Sequence, residues 1–227
     1  MDVRTGWMAA TRHRNEMNNE LDFWQSGHGR AYMQRNAVSA VDVENRARAL
    51  ARILANLSAP PRTVLEVGSG PGGNLLALRR FLPDARLFAV EPNEHARELS
   101  ALSGAEVYDG HAGAIPAADT TFDLVLTAGV LIHVHPDRLR ACMVEVVRVS
   151  KRHVVAVEYF APSCEPVTYY GADRIWRNDF GSIYMSIGLR PVASGLFWKP
   201  ETGLDNVVWW LLDKPEGWSA DELGKEP

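Results

Sequence analysis

Between residues 42 and 57 apolar side chains return every three or four positions, at Val43, Ala47, Leu50, Ala51, Ile53, Leu54 and Leu57. That spacing gives a helix one buried face. Ala59-Pro60-Pro61 ends it, because proline has no amide donor and its ring clashes with the preceding turn. The period then changes. Short β-rich runs at 63–67, 86–91, 106–109, 124–128 and 153–159 alternate with helical patterns near 74–81, 93–102 and 138–149. Leu124-Val125-Leu126 and Val154-Val155-Ala156-Val157 are apolar without interruption, as in strands covered by helices on both faces. The pattern predicts an α/β fold with a Rossmann-like, doubly wound, mostly parallel sheet. Two later runs, at 192–198 and 206–212, suit an antiparallel C-terminal edge.

Outside these elements the pattern is weaker. Residues 1–20 are polar and irregular, and a short helix-like stretch with leading aromatics follows, so 1–58 is expected to form a helical lid or cap. Residues 59–214 form the main domain and 215–227 a flexible tail. Between 160 and 180, Pro162, Pro166, Tyr169, Tyr170, Trp176 and Phe180 make an aromatic stretch with no clear period.

Composition narrows the partners. The chain has 227 residues, 46% apolar and 23% charged, which suits one substantial core. Its net charge of −4, with Lys and Arg scattered, offers no footprint for a nucleic-acid backbone or an anionic membrane. No apolar run is long enough to span a bilayer. Cys142 and Cys164 are too few for a disulfide framework and lack metal-ligand spacing, so no metal is expected and a reducing cytoplasm fits. The expected partner is a small molecule, with the chain a monomer or homodimer.

The strongest chemical signal is Val64-Leu65-Glu66-Val67-Gly68-Ser69-Gly70-Pro71-Gly72-Gly73-Asn74, a strand entering a glycine loop that opens a helix. Glycines let a ligand approach the backbone where the chain turns sharply. Gly68, Gly70 and Gly73 satisfy the dinucleotide fingerprint; Gly68, Gly70 and Gly72 satisfy the tighter loop of adenosylmethionine sites. The acidic residues separate the two. Glu66 suits a ligand bearing an ammonium and a sulfonium and would repel a pyrophosphate. Glu91 ends the second strand, placed for ribose hydroxyls. Asp109 ends the third, placed for the adenine amine or serving as a turn former before Gly110. The expected cofactor is S-adenosylmethionine, with Ser69, Asn74, Pro92, Asn93, Gly110, Ala128 and Gly129 completing its surroundings at the adjoining strand ends.

The loop, Glu91 and Phe122-Asp123-Leu124-Val125-Leu126 resemble class I adenosylmethionine-dependent methyltransferases. A narrower resemblance runs over about residues 22 to 214. It rests on Phe23-Trp24, Tyr32, Arg35-Asn36, Leu126-Thr127-Ala128-Gly129-Val130-Leu131-Ile132-His133, Val157-Glu158-Tyr159-Phe160, Asp173-Arg174-Ile175-Trp176-Arg177-Asn178-Asp179-Phe180 and Trp209-Trp210-Leu211-Leu212. Those blocks are similar to the pseudaminic acid biosynthesis-associated methylases. The resemblance implies the fold and the cofactor, and leaves the acceptor open.

Methyl transfer asks a protein mainly to position a nucleophile and exclude water, with a base only where the acceptor must lose a proton. His133, just past the fourth strand, is a candidate base or substrate contact, or a structural residue. His135, before Pro136, is expected at a helix N-terminus. Glu158 and Tyr159, at the end of the fifth strand, are expected to touch substrate. Trp24, Tyr32, Tyr169, Tyr170 and Trp176 are candidates for a lid that stabilises the sulfonium by cation–π attraction. Arg35 or Arg174 is expected to pair with the methionine carboxylate. The leading expectation is methyl transfer to a sugar or secondary-metabolite intermediate. Its rivals are cyclisation of adenosylmethionine itself to azetidine-2-carboxylate and methylthioadenosine, and a non-catalytic binding module.

Overall fold

A computed structural model of the chain describes residues 18–169 and 172–223. Helices α1 (Asn18–Gln25), α2 (Gly27–Arg35) and α3 (Ala40–Leu54) precede β1 (Thr63–Val67), α4 (Gly73–Phe81), β2 (Arg86–Val90), α5 (Glu94–Ala101) and β3 (Glu106–Tyr108). Then follow β4 (Phe122–Ala128), α6 (Pro136–Val149), β5 (Ser150–Glu158), β6 (Glu165–Tyr169), β7 (Ala172–Arg177), α7 (Phe180–Ser186), β8 (Arg190–Phe197), α8 (Lys199–Thr202) and β9 (Val207–Asp213). The main sheet has the order β3-β2-β1-β4-β5-β9-β8. It is parallel from β3 to β5, while β9 runs antiparallel to both β5 and β8. This is the doubly wound fold with an antiparallel edge that the apolar pattern predicts.

Adjacent residues of the central strands are buried on opposite faces. Leu65, Phe88, Val125 and Val154 join Met143, Val146, Phe180 and Tyr184 in one core. Val64, Leu87, Leu124 and Val155 join Ile53, Leu75 and Leu78 in the other. With no exposed face left, these strands show no alternation in sequence. Helix α3 starts at a capping box: the Ser39 hydroxyl accepts the Asp42 amide at 3.1 Å, and the Asp42 carboxylate accepts the Ser39 amide at 3.0 Å. His135 caps α6 through Nδ1, which accepts the Asp137 amide, with Pro136 in the first turn.

Two regions differ from the sequence reading. The aromatic stretch forms a separate hairpin, β6 against β7, followed by α7. It is a half-covered ribbon whose register shifts between Val167 and Thr168, so its period-two signal is broken. α7 is two turns long, too short for a periodic signal. Within the expected flexible tail, 215–227, the described residues to 223 dock through Trp218, whose indole N–H donates to the Ile187 carbonyl at 2.7 Å. Leu223 also packs on the first core.

Gly181, near the start of α7, sits against Trp210, and a Cβ there would lie 2.2 Å from the indole nitrogen. Gly181→Ala is therefore expected to destabilise the fold by about 1–3 kcal/mol in urea unfolding. An unchanged midpoint would show that the Trp210 ring gives way without cost.

Candidate functional site

The parallel strands β1, β2, β4 and β5 all end at one edge, where open α/β sheets hold ligands. The glycine loop leaves β1 there. Gly68 and Gly70 adopt left-handed φ values of +71° and +51°, and a Cβ on Gly70 would point into open space. Gly68 faces Val130, whose Cγ2 would lie 2.5 Å from an added Cβ. The backbone at Gly70 is thus bare beside the first cavity, where a ligand could approach it closely.

Buried carboxylates stand beneath the loops. Glu91 accepts the Gly70 amide and the Asn93 amide, each at 2.9 Å, which ties the glycine loop to the end of β2. Burial pushes its carboxyl above the usual range, against the pull of those two amides. Glu66 accepts the Asn74 side-chain N–H at 2.7 Å through Oε1, while its Oε2 is buried without a partner. Burial raises its carboxyl to about 8, against the Asn74 hydrogen bond and the Arg46 charge. Glu158 is fully buried and accepts the Val130 amide at 3.1 Å and the Leu131 amide at 3.2 Å. Burial lifts it to about 7, opposed by those amides.

Two cavities meet at this edge. The first, about 210 Å³, lies over the glycine loop and brings together Trp24, Tyr32, Glu66, Gly68, Ser69, Gly70, Asn74, Glu91, Pro92, Ala128, Gly129 and His133. The second, about 430 Å³, shares Tyr32, Asn74, Ala128, Gly129 and His133 with it and adds Tyr159 and Tyr169. Aromatic rings from separate segments crowd the junction. The Trp24 ring meets those of Tyr32 and His133 edge-on at 5.2 and 4.8 Å, and Tyr169 lies 6.3 Å from His133. The Tyr159 hydroxyl donates to Asp205 at 2.6 Å; burial first, and then that hydrogen bond, raise its ionisation well above the usual value.

Other expected site residues have different surroundings. Asp109 is exposed and pairs with Arg97 at 3.2 Å, and Gly110 packs on Pro116, so neither borders the first cavity. Gly72 caps α4 and lies against Ser100, where a Cβ would come within 2.9 Å of the backbone. Asn93 caps α5 and donates to the Trp24 carbonyl at 2.7 Å, so it holds the lid segment rather than lining the cavity. Arg35 is exposed in the last turn of α2 and borders neither cavity. Trp176 packs edge-on against His135 at 5.2 Å. Glu158 is buried and borders neither cavity, and its carboxylate accepts the Val130 and Leu131 amides. Arg174 lies on β7, and Tyr170 is outside the described residues.

The sequence reading missed Arg46 and His111. Arg46, on α3, borders both cavities. His111, after β3, borders the first; its Nδ1 accepts the Gly113 amide at 3.1 Å, and burial lowers its ionisation to about 4, leaving a neutral ring with the proton on Nε2. Arg46 belongs to a helix with several arginines and no motif. His111 had one local signal, the small Gly110-His111-Ala112-Gly113 turn at a strand end.

Residues 64–153 match the methyltransferase domain family. Among curated proteins none matches the sequence. The fold is similar to Burkholderia thailandensis 1,6-didemethyltoxoflavin-N1-methyltransferase, solved with its acceptor and S-adenosylhomocysteine: TM-score 0.64, 18% identity, 91% of this chain and 94% of that one. It is also similar to magnesium protoporphyrin IX methyltransferase from Synechocystis PCC 6803 with bound adenosylmethionine, with TM-score 0.65, 14% identity and coverage of 88% and 100%. The [4+2]-cyclase SpnF shares the fold at TM-score 0.57 and 12% identity, over 75% of this chain and 81% of that one.

Glu158→Ala would orphan the Val130 and Leu131 amides, at a cost of roughly 1–3 kcal/mol for each buried donor left unpaired. Urea unfolding is expected to show a loss in that range. A loss below about 0.5 kcal/mol would mean water replaces the carboxylate.

Proposed function

Because residues 64–153 match the methyltransferase domain family, we propose that the chain uses adenosylmethionine to methylate a small-molecule acceptor held in the second cavity. The observation that carries this reading is the contact between the two cavities across Ala128, Gly129 and His133. One cavity has the features an adenosyl amino acid needs: an open glycine backbone at Gly70 and an unpartnered buried carboxylate oxygen on Glu66. The other gives a separate molecule room beside it. When bound, the cofactor supplies a methyl group on a cationic sulfur.

The chain's own residues then orient and enclose. Trp24, Tyr32 and Tyr169 keep water from the junction and present ring faces suited to a cation. His133 borders both cavities and is the group we assign to hold an acceptor proton. Tyr159, its phenol fixed by Asp205, offers a neutral hydroxyl to the acceptor. The resemblance to pseudaminic acid biosynthesis-associated methylases supports a sugar or secondary-metabolite intermediate as that acceptor. Cyclisation of the cofactor gives the second cavity no occupant, which favours transfer over it.

The test is mass spectrometry of the protein with methyl-labelled adenosylmethionine, first alone and then with panels of aminosugars, phenols and carboxylic acids. Expected is S-adenosylhomocysteine formed only with an acceptor that gains the label. Methylthioadenosine from the cofactor alone would replace this reading with cyclisation. With an active acceptor, His133→Asn is expected to lower kcat about a hundredfold, with S-adenosylhomocysteine affinity within twofold.

The Glu66 carboxyl, raised to about 8, is mostly protonated at pH 7 in the free protein, and a bound ammonium favours its ionised form. Ligand binding at pH 7 is therefore expected to release a proton, and affinity to rise with pH until about 8. Calorimetry of S-adenosylhomocysteine in phosphate and in Tris reads that proton as a difference in heat. Equal heats in both buffers would contradict it, and Glu66→Gln is expected to make them equal.

A further inference from the structure

We propose that β8 is a dimer interface, along which the main sheet continues antiparallel into that of a second copy of this chain, about a two-fold axis at Ser194.

The two edges of the main sheet are built differently. β3 is three residues long and charged: Glu106 pairs with Arg86 at 3.1 Å and accepts the Tyr108 hydroxyl at 3.1 Å. Short, charged strands are how soluble proteins keep an edge from pairing. β8 is eight residues long, and its one charged side chain, Arg190, comes first. Pro191 and the register shift between Pro191 and Ala193 blunt that same end. Among the described residues β8 pairs with β9 alone, so the outward N–H and C=O groups of residues 192–197 have no partner there.

Apolar exposure gathers along the same edge. Of the nine large apolar side chains exposed among the described residues, Val192, Leu196 and Trp198 lie on β8 or directly after it. Two more, Phe160 and Met185, line a cavity of about 370 Å³ beside the strand, with Pro191, Ser194 and Trp210. Scattered apolar residues need no explanation, but a group of them along an open strand marks an interaction surface.

The order of residues along β8 selects a second copy as the occupant. In an antiparallel pairing centred on Ser194, Val192 comes opposite Leu196 of the partner subunit, and Leu196 opposite the partner's Val192. Arg190 comes opposite the partner's Trp198, within reach of a cation–π contact. Apolar side chains therefore meet apolar ones, and no like charges stand opposite each other. Lys199, the next cation, falls beyond the paired stretch, with its ammonium held by Asp205 at 2.9 Å. A two-fold antiparallel pairing uses the same patch on both subunits and closes at two copies.

The test is sedimentation of the full chain over a concentration series, with hydrogen exchange of the β8 amides followed in parallel. Expected is a reversible shift from one chain mass to two, with the outward amides of residues 192–196 exchanging at least about tenfold more slowly in the dimer. Ser194 meets itself on the axis and is exposed, so its substitution leaves the core alone. Ser194→Lys and Ser194→Asp are each expected to weaken self-association about tenfold or more, by setting like charges opposite each other, and an equimolar mixture of the two is expected to restore it. A wild type that stays at one chain mass would overturn the proposal and leave the edge to a different partner. A wild-type dimer whose β8 amides gain no protection would also overturn it, whether or not the variants fold. So would a dimer that persists in both variants, or a weakening that the mixture does not reverse, since either places the axis elsewhere.

Discussion

The Glu91 carboxylate accepts the Gly70 amide and the Asn93 amide from opposite sides, and both halves of the first cavity depend on that junction. One bond fixes the glycine loop in its left-handed turn; the other fixes the start of α5, whose Asn93 side chain then holds Trp24 by its carbonyl. Glu158 does the same for the loop after β4, by accepting the Val130 and Leu131 amides. Loops at a parallel sheet's edge have no ladder to satisfy their backbone, so each N–H needs a partner from elsewhere. Here strand-end carboxylates supply it.

Such carboxylates are expensive to bury, and the structure offsets the cost unequally. Glu91 and Glu158 are each held by two backbone amides, which favour the charged form. Glu66 has one neutral side-chain donor and a more distant arginine, and its second oxygen has nothing. The deficit sits where the glycine backbone is open. The cationic ligand proposed for that point would complete the electrostatics of the strand end and so couple binding to stability through one residue.

How much of this could be read beforehand depended on whether the chemistry was contiguous in sequence. Glu66 through Asn74 lie within nine positions, and the strand, loop and helix that present them are each dictated locally, so the cradle was legible. Arg46 reaches the cradle from α3, a separation of 28 residues from Asn74, and its helix carries other arginines that face solvent. Only packing distinguishes them. Asp109 shows the opposite case: its position after a strand suits a ligand, while in the structure it is exposed and paired with Arg97 of the preceding helix, a partner that strand-end position alone does not reveal. Glu158 was correctly placed at the edge, yet β5 is central and its last side chain points inward beneath the β4 loop. The hairpin escaped notice because a ribbon with one register shift and one half-covered face has no sustained period.

Neighbours of this fold include proteins named as methyltransferases and one named as a cyclase, so the sheet and its glycine loop do not by themselves choose a reaction. The choice falls on what adjoins the cofactor's reactive end. In this chain the junction of the two cavities, where we propose that end lies, is bounded by three segments far apart in sequence: α1–α2 with Trp24 and Tyr32, the turn after β4 with His133, and the β6–β7 hairpin with Tyr169. None belongs to the parallel strands, and each is tied down by a polar contact or ring packing. Reaction specificity can then change in these segments while the carboxylate-braced edge below them stays fixed, which separates the chemistry the fold permits from the chemistry this chain performs.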